Sequence, residues 1–555
     1  MNRWTKAKGL WGLSLLCSVG CGGRPDAWDT AFTPTPIAAA DPAMDPSGGY
    51  ALRGLTGSIA VLDRSQNEVL MLTSPGRLQL AATRLPVGRD VVRFESSAAR
   101  DRLFVLSRGV TPRYRDTDEP PQLLVFDGGI APVPQARYAL KDPYDQLVID
   151  PLGKWLIVHG SEGLVSNPNE LLLVDLAEVA DGDEPRTPRS VTLNSYGGKP
   201  KRFVFTSELT MPNDERHRLL VVQREKDLAI IDLDDEDAKE ITVGLPQDAS
   251  GGFESPVDVV FHDAIPGEVG AMLAVQLAED PNVYILPIQP SESDEHAFSL
   301  GSNLVDVGGN PSMLDFVRTS KDGGLRLAAL VPSKQAARLI DPTSSKVTDV
   351  ALPAPFRKIR RVTGEVSDDT EQDIALLYGA TTNTIAFWQL GVTVGTPYRS
   401  IDAYDLGVSV DQVLDVPTGE SAEFASRKIL AGKDARQFYV LDLPSRKSFP
   451  LDTLSNLTLN LSPNGEQLWA FQPGATGFAQ LTFDPLQPAS IYTQQPIAFV
   501  HDFATRNGQN ERSAIALHLV SDGTRSSLGA TLFDGNEPRT DETAYYPALE
   551  LEGIR

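Results

Sequence analysis

The chain has 555 residues, a formal net charge of −24 and only two cysteines. An acid excess of this size repels nucleic acid and anionic lipid headgroups, so no nucleic-acid partner is expected. Both cysteines, Cys17 and Cys21, lie close to the N-terminus. The body of the chain therefore has no disulfide, thiolate nucleophile or cysteine metal site, and no cofactor motif is present.

Arg3, Lys6 and Lys8 form a positive n-region, followed by a short apolar stretch with Leu10, Trp11, Leu13, Leu15 and Leu16. That stretch is too short to span a bilayer. Ser18-Val19-Gly20-Cys21 then resembles the bacterial lipobox, with cleavage before Cys21 and lipid on its sulfur. The resemblance implies residues 1–20 as a signal peptide, Cys21 as the lipidation site, and a membrane partner through the anchor. It also implies a place in the cell envelope. Gly22, rather than Asp, follows the cysteine and favours the outer membrane. Without Arg3, Lys6 and Lys8 the mature charge is about −27. Residues 21–50 carry five prolines and four aspartates with no apolar period, and read as a tether. Fully stretched, residues 24–49 reach on the order of 80 Å.

Residues 51–555 read as one all-β domain. Ten apolar runs, most of them ending in Asp, recur along it: 59–63, 123–127, 171–175, 228–232, 283–286, 337–341, 385–388, 438–442, 481–484 and 531–534. Their spacing averages about 52 residues. Such a period predicts a β-propeller of four-stranded antiparallel blades, each run being the third strand of its blade. Second strands precede them at 103–106, 155–158, 219–222, 325–330 and 374–377. These runs are apolar on both faces, as stacked blades require. Propellers of seven or eight blades are common, so about eight are expected within a range of seven to ten. The chain ends, 55–63 and 544–551, are expected to close the ring, because an open ring leaves exposed edges.

The pattern Gly-x-x-Pro, apolar run, Pro-x-Gly, then apolar-Val-Asp resembles the YVTN and TolB-like propeller repeats. It is carried by Gly197-Gly198-Lys199-Pro200 to Phe205, Val307 to Phe316, Asp150 to Val158 and Ser462 to Trp469. The YVTN tetrapeptide itself is absent. The resemblance implies architecture, and its family holds binding scaffolds, assembly factors and some lactonases.

Six histidines are scattered without ligand spacing, so no local metal motif exists. His262-Asp263 and His501-Asp502 each follow an apolar pair with Phe and are expected at inner strand ends near the channel. Arg357, Lys358, Arg360 and Arg361 form the one basic run, suited either to an anionic partner or to neutralising nearby acids. His159-Gly160-Ser161-Glu162-Gly163 falls one residue short of a nucleophile elbow and reads as a loop. Asp232, Asp234, Asp235, Glu236 and Asp237 are acidic enough for loose calcium but lack the EF-hand pattern. The expectation is a binding scaffold for an envelope protein or glycan. A lactonase- or hydrolase-like enzyme with a site at the channel mouth is the alternative.

Overall fold

In the computed structural model, the ten apolar runs fall in ten separate antiparallel blades of one propeller ring. The blades are four-stranded, except that the blade at 256–306 splits its outer strand into two, Phe298–Leu300 and Asn303–Asp306, both paired with its third strand. The structure describes residues 50–547 and 549, except 116, 130–131, 162, 177–185, 236–238, 248–253, 292–297, 320–323, 364–372, 391–399, 416–425, 433–436, 453–457, 463–466, 484–485, 504–512, 522–525 and 536–542. The signal, Cys21 and nearly all of the tether lie outside the described residues. Blades 1 to 10 occupy 50–86, 91–139, 146–192, 202–244, 256–306, 313–351, 358–405, 412–452, 458–492 and 497–546. Ten is the upper end of the expected range.

Each blade is a meander in chain order, first strand innermost. First strands of neighbouring blades touch across several interfaces. Fourth strands such as Ala81–Pro86 and Ile401–Asp405 are largely open to solvent. The antiparallel order sorts the connections. The near face, where each inner strand begins, carries the second-to-third turns and the links between blades. The far face carries the first-to-second and third-to-fourth turns.

Blades stack through apolar faces. Leu62, Val69 and Phe94 join blades 1 and 2; Ala328, Phe356 and Trp388 join 6 and 7; Leu376, Phe387 and Leu441 join 7 and 8. Each fully buried Val, Leu or Phe contributes about 1.5–3 kcal/mol. The last blade packs between blades 9 and 1, with Trp469, Phe471, Phe499, Ile515, Ile59 and Leu72 in one cluster. Opposite chain ends thus close the ring face to face, and each blade is built from one contiguous stretch.

Nine of the ten runs form third strands. The first, Ser58–Asp63, is instead a second strand, with Glu68–Thr73 as the third. Second and third strands are both buried on two faces, so their compositions do not distinguish them.

The recurring aspartates are turn caps. Asp63 Oδ1 accepts from the Ser65 amide at 2.9 Å, and Asp341 Oδ1 from the Thr343 and Ser344 amides at 3.0 Å. A carboxylate there satisfies amides that the turn would otherwise leave bare. Asp150 does more. It accepts from the Leu152 and Lys154 amides, and it takes Arg218 of blade 4 bidentately at 2.6 and 2.7 Å, with both side chains buried. Removing one partner of such a pair strands a buried charge.

Candidate binding site at the channel mouth

The basic run is the inner strand of blade 7, Lys358–Arg361. Side chains alternate along a strand, so neighbours point to opposite blades. Lys358 and Arg360 reach blade 8. The Lys358 Nζ donates to the Asp411 carbonyl at 2.6 Å, and Arg360 donates to the Val413 carbonyl at 3.0 Å and to Asp415. Ile359 and Arg361 turn toward blade 6: Ile359 is buried in the shared apolar cluster, and Arg361 lies 3.7 Å from Asp315. Burial works against the charged form of Asp415, but Lys428 and Arg360 outweigh it and hold its pKa below the ordinary carboxylate value. Arg357 precedes the strand on the near face with its side chain exposed.

Similar bridges join other inner strands, Arg53 to Glu95 and Arg202 to Asp258, each at 3.1 Å. The acids that the basic run neutralises thus come from both flanking blades.

His262 ends the inner strand of blade 5, Pro256–His262, on the far face. Its Nδ1 is 2.5 Å from the Asp263 carbonyl and its ring meets Phe316 of blade 6 edge-on, 5.7 Å between centroids. Burial lowers its pKa to about 4, helped by Arg361 and Arg318 nearby. The imidazole is therefore neutral at pH 7, with its proton on Nδ1 facing the carbonyl. Nε2 is left as an acceptor. Arg318 ends the inner strand of blade 6, Met313–Arg318. It is exposed, and its guanidinium has no acidic partner among the described residues. Arg318, Arg361 and His262 thus give blades 5 to 7 a lip with one uncompensated cation, Arg318, a second, Arg361, shared with Asp315, and a neutral acceptor, backed by the Phe316 ring. Such a lip suits an anionic group that also carries hydroxyls. Arg318 was not singled out from sequence. The available signal was that Phe316-Val317-Arg318 ends an apolar run as Val260-Phe261-His262 does.

His501 lies in the inner strand of blade 10, Ile497–Asp502, and is wholly buried. Its Nε2 is 2.7 Å from the Leu55 carbonyl of blade 1. Burial lowers its pKa to about 3, with Arg100 adding to the effect. It belongs to the seam of the ring, not to the open lip.

In the acidic cluster, Asp232 pairs with His217 Nδ1 at 2.6 Å and Asp234 accepts from the Arg218 amide at 2.6 Å. Glu236 and Asp237 lie outside the described residues. Among the described residues, no group of three or more His, Cys, Asp or Glu side chains is placed to hold a metal ion. No described helix is long and apolar enough to cross a membrane.

No protein-family profile matches the chain, and no curated protein matches it. Solved structures do. The dihydro-heme d1 dehydrogenase NirN, in complex with DHE, is similar at 13% identity and TM-score 0.40, over 74% of this chain and 76% of that one. Apo AztD from Citrobacter koseri is similar at 12% identity and TM-score 0.31, over 71% and 95%. Hsv2 from Kluyveromyces lactis is similar at 9% identity and TM-score 0.34, over 66% and 98%. Likeness this distant says nothing about activity or ligand.

Proposed function

We propose that this protein is a membrane-anchored, extracytoplasmic propeller that acts as a binding scaffold for an envelope protein or glycan. In this reading it takes an anionic group at the far-face lip of blades 5 to 7. The observation that carries the reading is Arg318. It is exposed beside Arg361 and the neutral His262, while the basic run next to it is neutralised by acids of both adjoining blades. A rigid ring with a charged lip suits recognition. The lipobox-like Ser18-Val19-Gly20-Cys21 supports the anchor.

The test is crosslinking in intact envelopes, followed by purification of wild type and Arg318→Glu. An envelope component retained by wild type should fall about tenfold or more in the variant. Equal retention overturns the reading. So does turnover of a lactone or ester that depends on His262, which would replace the scaffold with the hydrolase alternative.

A further inference from the structure

A second constellation sits on the opposite, near face, where blades 2 and 3 meet. Its members come from four separate stretches of chain. Arg93 is on the inner strand of blade 2, Val91–Ser96, and Arg108 follows that blade's second strand. Asp145 and Gln146 open the inner strand of blade 3, Gln146–Ile149, and Ser161 follows that blade's second strand, Trp155–His159. Hydrogen bonds run through them in series. Arg93 Nη2 donates to Gln146 Oε1 at 2.5 Å, and Gln146 Nε2 donates to Ser161 Oγ at 3.1 Å. Ser161 Oγ donates to Asp145 Oδ2 at 2.5 Å, its amide donates to Asp145 Oδ1 at 2.7 Å, and Arg108 Nη2 reaches Asp145 Oδ2 at 3.4 Å.

Three properties of this series point to a ligand. Its outer rim is reachable: Ser161 is exposed, and Gln146 and Arg93 are half-buried. Its hydrogen-bonding capacity is not used up. Arg108 Nε is a buried donor without a partner, although buried polar atoms ordinarily find one. Its charges balance in number, two cations (Arg93 and Arg108) against two carboxylates (Asp145 and Asp90), with Arg108 3.4 Å from Asp145 and 3.9 Å from Asp90. An anion would meet the Asp145 carboxylate and a cation would meet two guanidiniums. A neutral ligand bearing several hydroxyls meets donors and acceptors in alternation, and each hydroxyl both gives and accepts. The arrangement does not activate Ser161 as a nucleophile: its hydroxyl bonds directly to a carboxylate, whereas His159 packs its ring on Phe203 at 4.7 Å.

We propose that the Arg93–Gln146–Ser161–Asp145 series is a binding site for a neutral sugar ring presented by a glycan. This goes beyond the far-face lip and lies on the other side of the ring.

The test is saturation-transfer difference NMR on the whole ring with methyl glucoside, methyl galactoside, methyl mannoside and N-acetylglucosamine, with glucuronate as the charged comparator. At least one neutral sugar should receive saturation from the wild type, and glucuronate should not. Gln146→Ala and Ser161→Ala should each weaken that sugar about tenfold while the folded fraction stays unchanged. Arg318→Glu should leave the signal intact, so failure of the lip and failure of this site are read separately. No transfer to any of the neutral sugars, or transfer that survives both substitutions, overturns the proposal.

Discussion

Blades 5 and 10 end their inner strands on nearly the same sequence, Val260-Phe261-His262-Asp263 and Phe499-Val500-His501-Asp502. Both strands also carry a register shift near their start, at Pro256/Asp258 and Ile497/Phe499. The two histidines nevertheless differ. His262 is partly open, edge-on to Phe316, and sits among arginines. His501 is sealed, stacked on Phe499 at 6.1 Å and bonded to a backbone carbonyl of blade 1. Local sequence sets the position on the strand, and the next blade sets the role. Blade 6 brings Arg318. Blade 1 brings Gly54, and a Cβ built there would lie 2.6 Å from His501 Nδ1. The seam works because that residue has no side chain.

The largest effect should separate the two histidines. His501→Ala removes a fully buried ring and leaves the Leu55 carbonyl without its donor, and should cost about 3–5 kcal/mol. His262→Ala, at a half-open strand end, should cost about 1 kcal/mol. Urea unfolding monitored by tryptophan fluorescence measures both. Equal losses would mean that the seam is no more demanding than the lip.

Filling the seam from the other side should give an intermediate effect. Gly54→Ala pushes a methyl into the His501 ring and should cost about 1–3 kcal/mol. Gly244→Ala, where a Cβ meets nothing within 4 Å, should be nearly neutral by the same unfolding measurement. A neutral Gly54→Ala would show that His501 moves aside cheaply.

The ring was legible because its signals are local and repeated. Each blade repeats an apolar run, a turn and a capping Asp, and ten copies outvote any single ambiguity. An expectation of about eight blades rests only on smaller rings being common; the ten runs, read literally, number the blades. The first run, Ser58–Asp63, reads as a third strand but is a second one, because second and third strands share the same buried composition. The lip was only half legible. Lys358 to Arg361 stood out as a run, and His262 as a strand end. Arg318 did not, because its importance comes from its neighbours Arg361 and His262, which are 43 and 56 positions away in sequence. The fate of His501 was hidden for the same reason: its partner, Leu55, is 446 residues away.

The smallest effect per step should come from acid, and it compares the two histidines under one variable. Both folded-state pKa values lie below the ordinary histidine value of 6.5, at about 4 for His262 and about 3 for His501, chiefly through burial. Above pH 6.5 neither histidine is charged in the folded or the unfolded chain, so neither contributes to pH dependence. Below it the unfolded chain takes up the protons and the folded ring refuses them, so wild type loses stability as pH falls. For His501 the slope should be about 1.4 kcal/mol per pH unit, continuing to about pH 3. His501→Asn lacks that group and should lose less. The stability gap between it and wild type should therefore shrink by about 2 kcal/mol between pH 6.5 and pH 5. The gap for His262→Asn should shrink less, because solvent at the lip screens the charge, and should stop shrinking near pH 4. Urea midpoints across this range provide the check. A His501→Asn gap that stays constant with pH would mean that the imidazole is protonated inside the seam, and the contrast between seam and lip would fail.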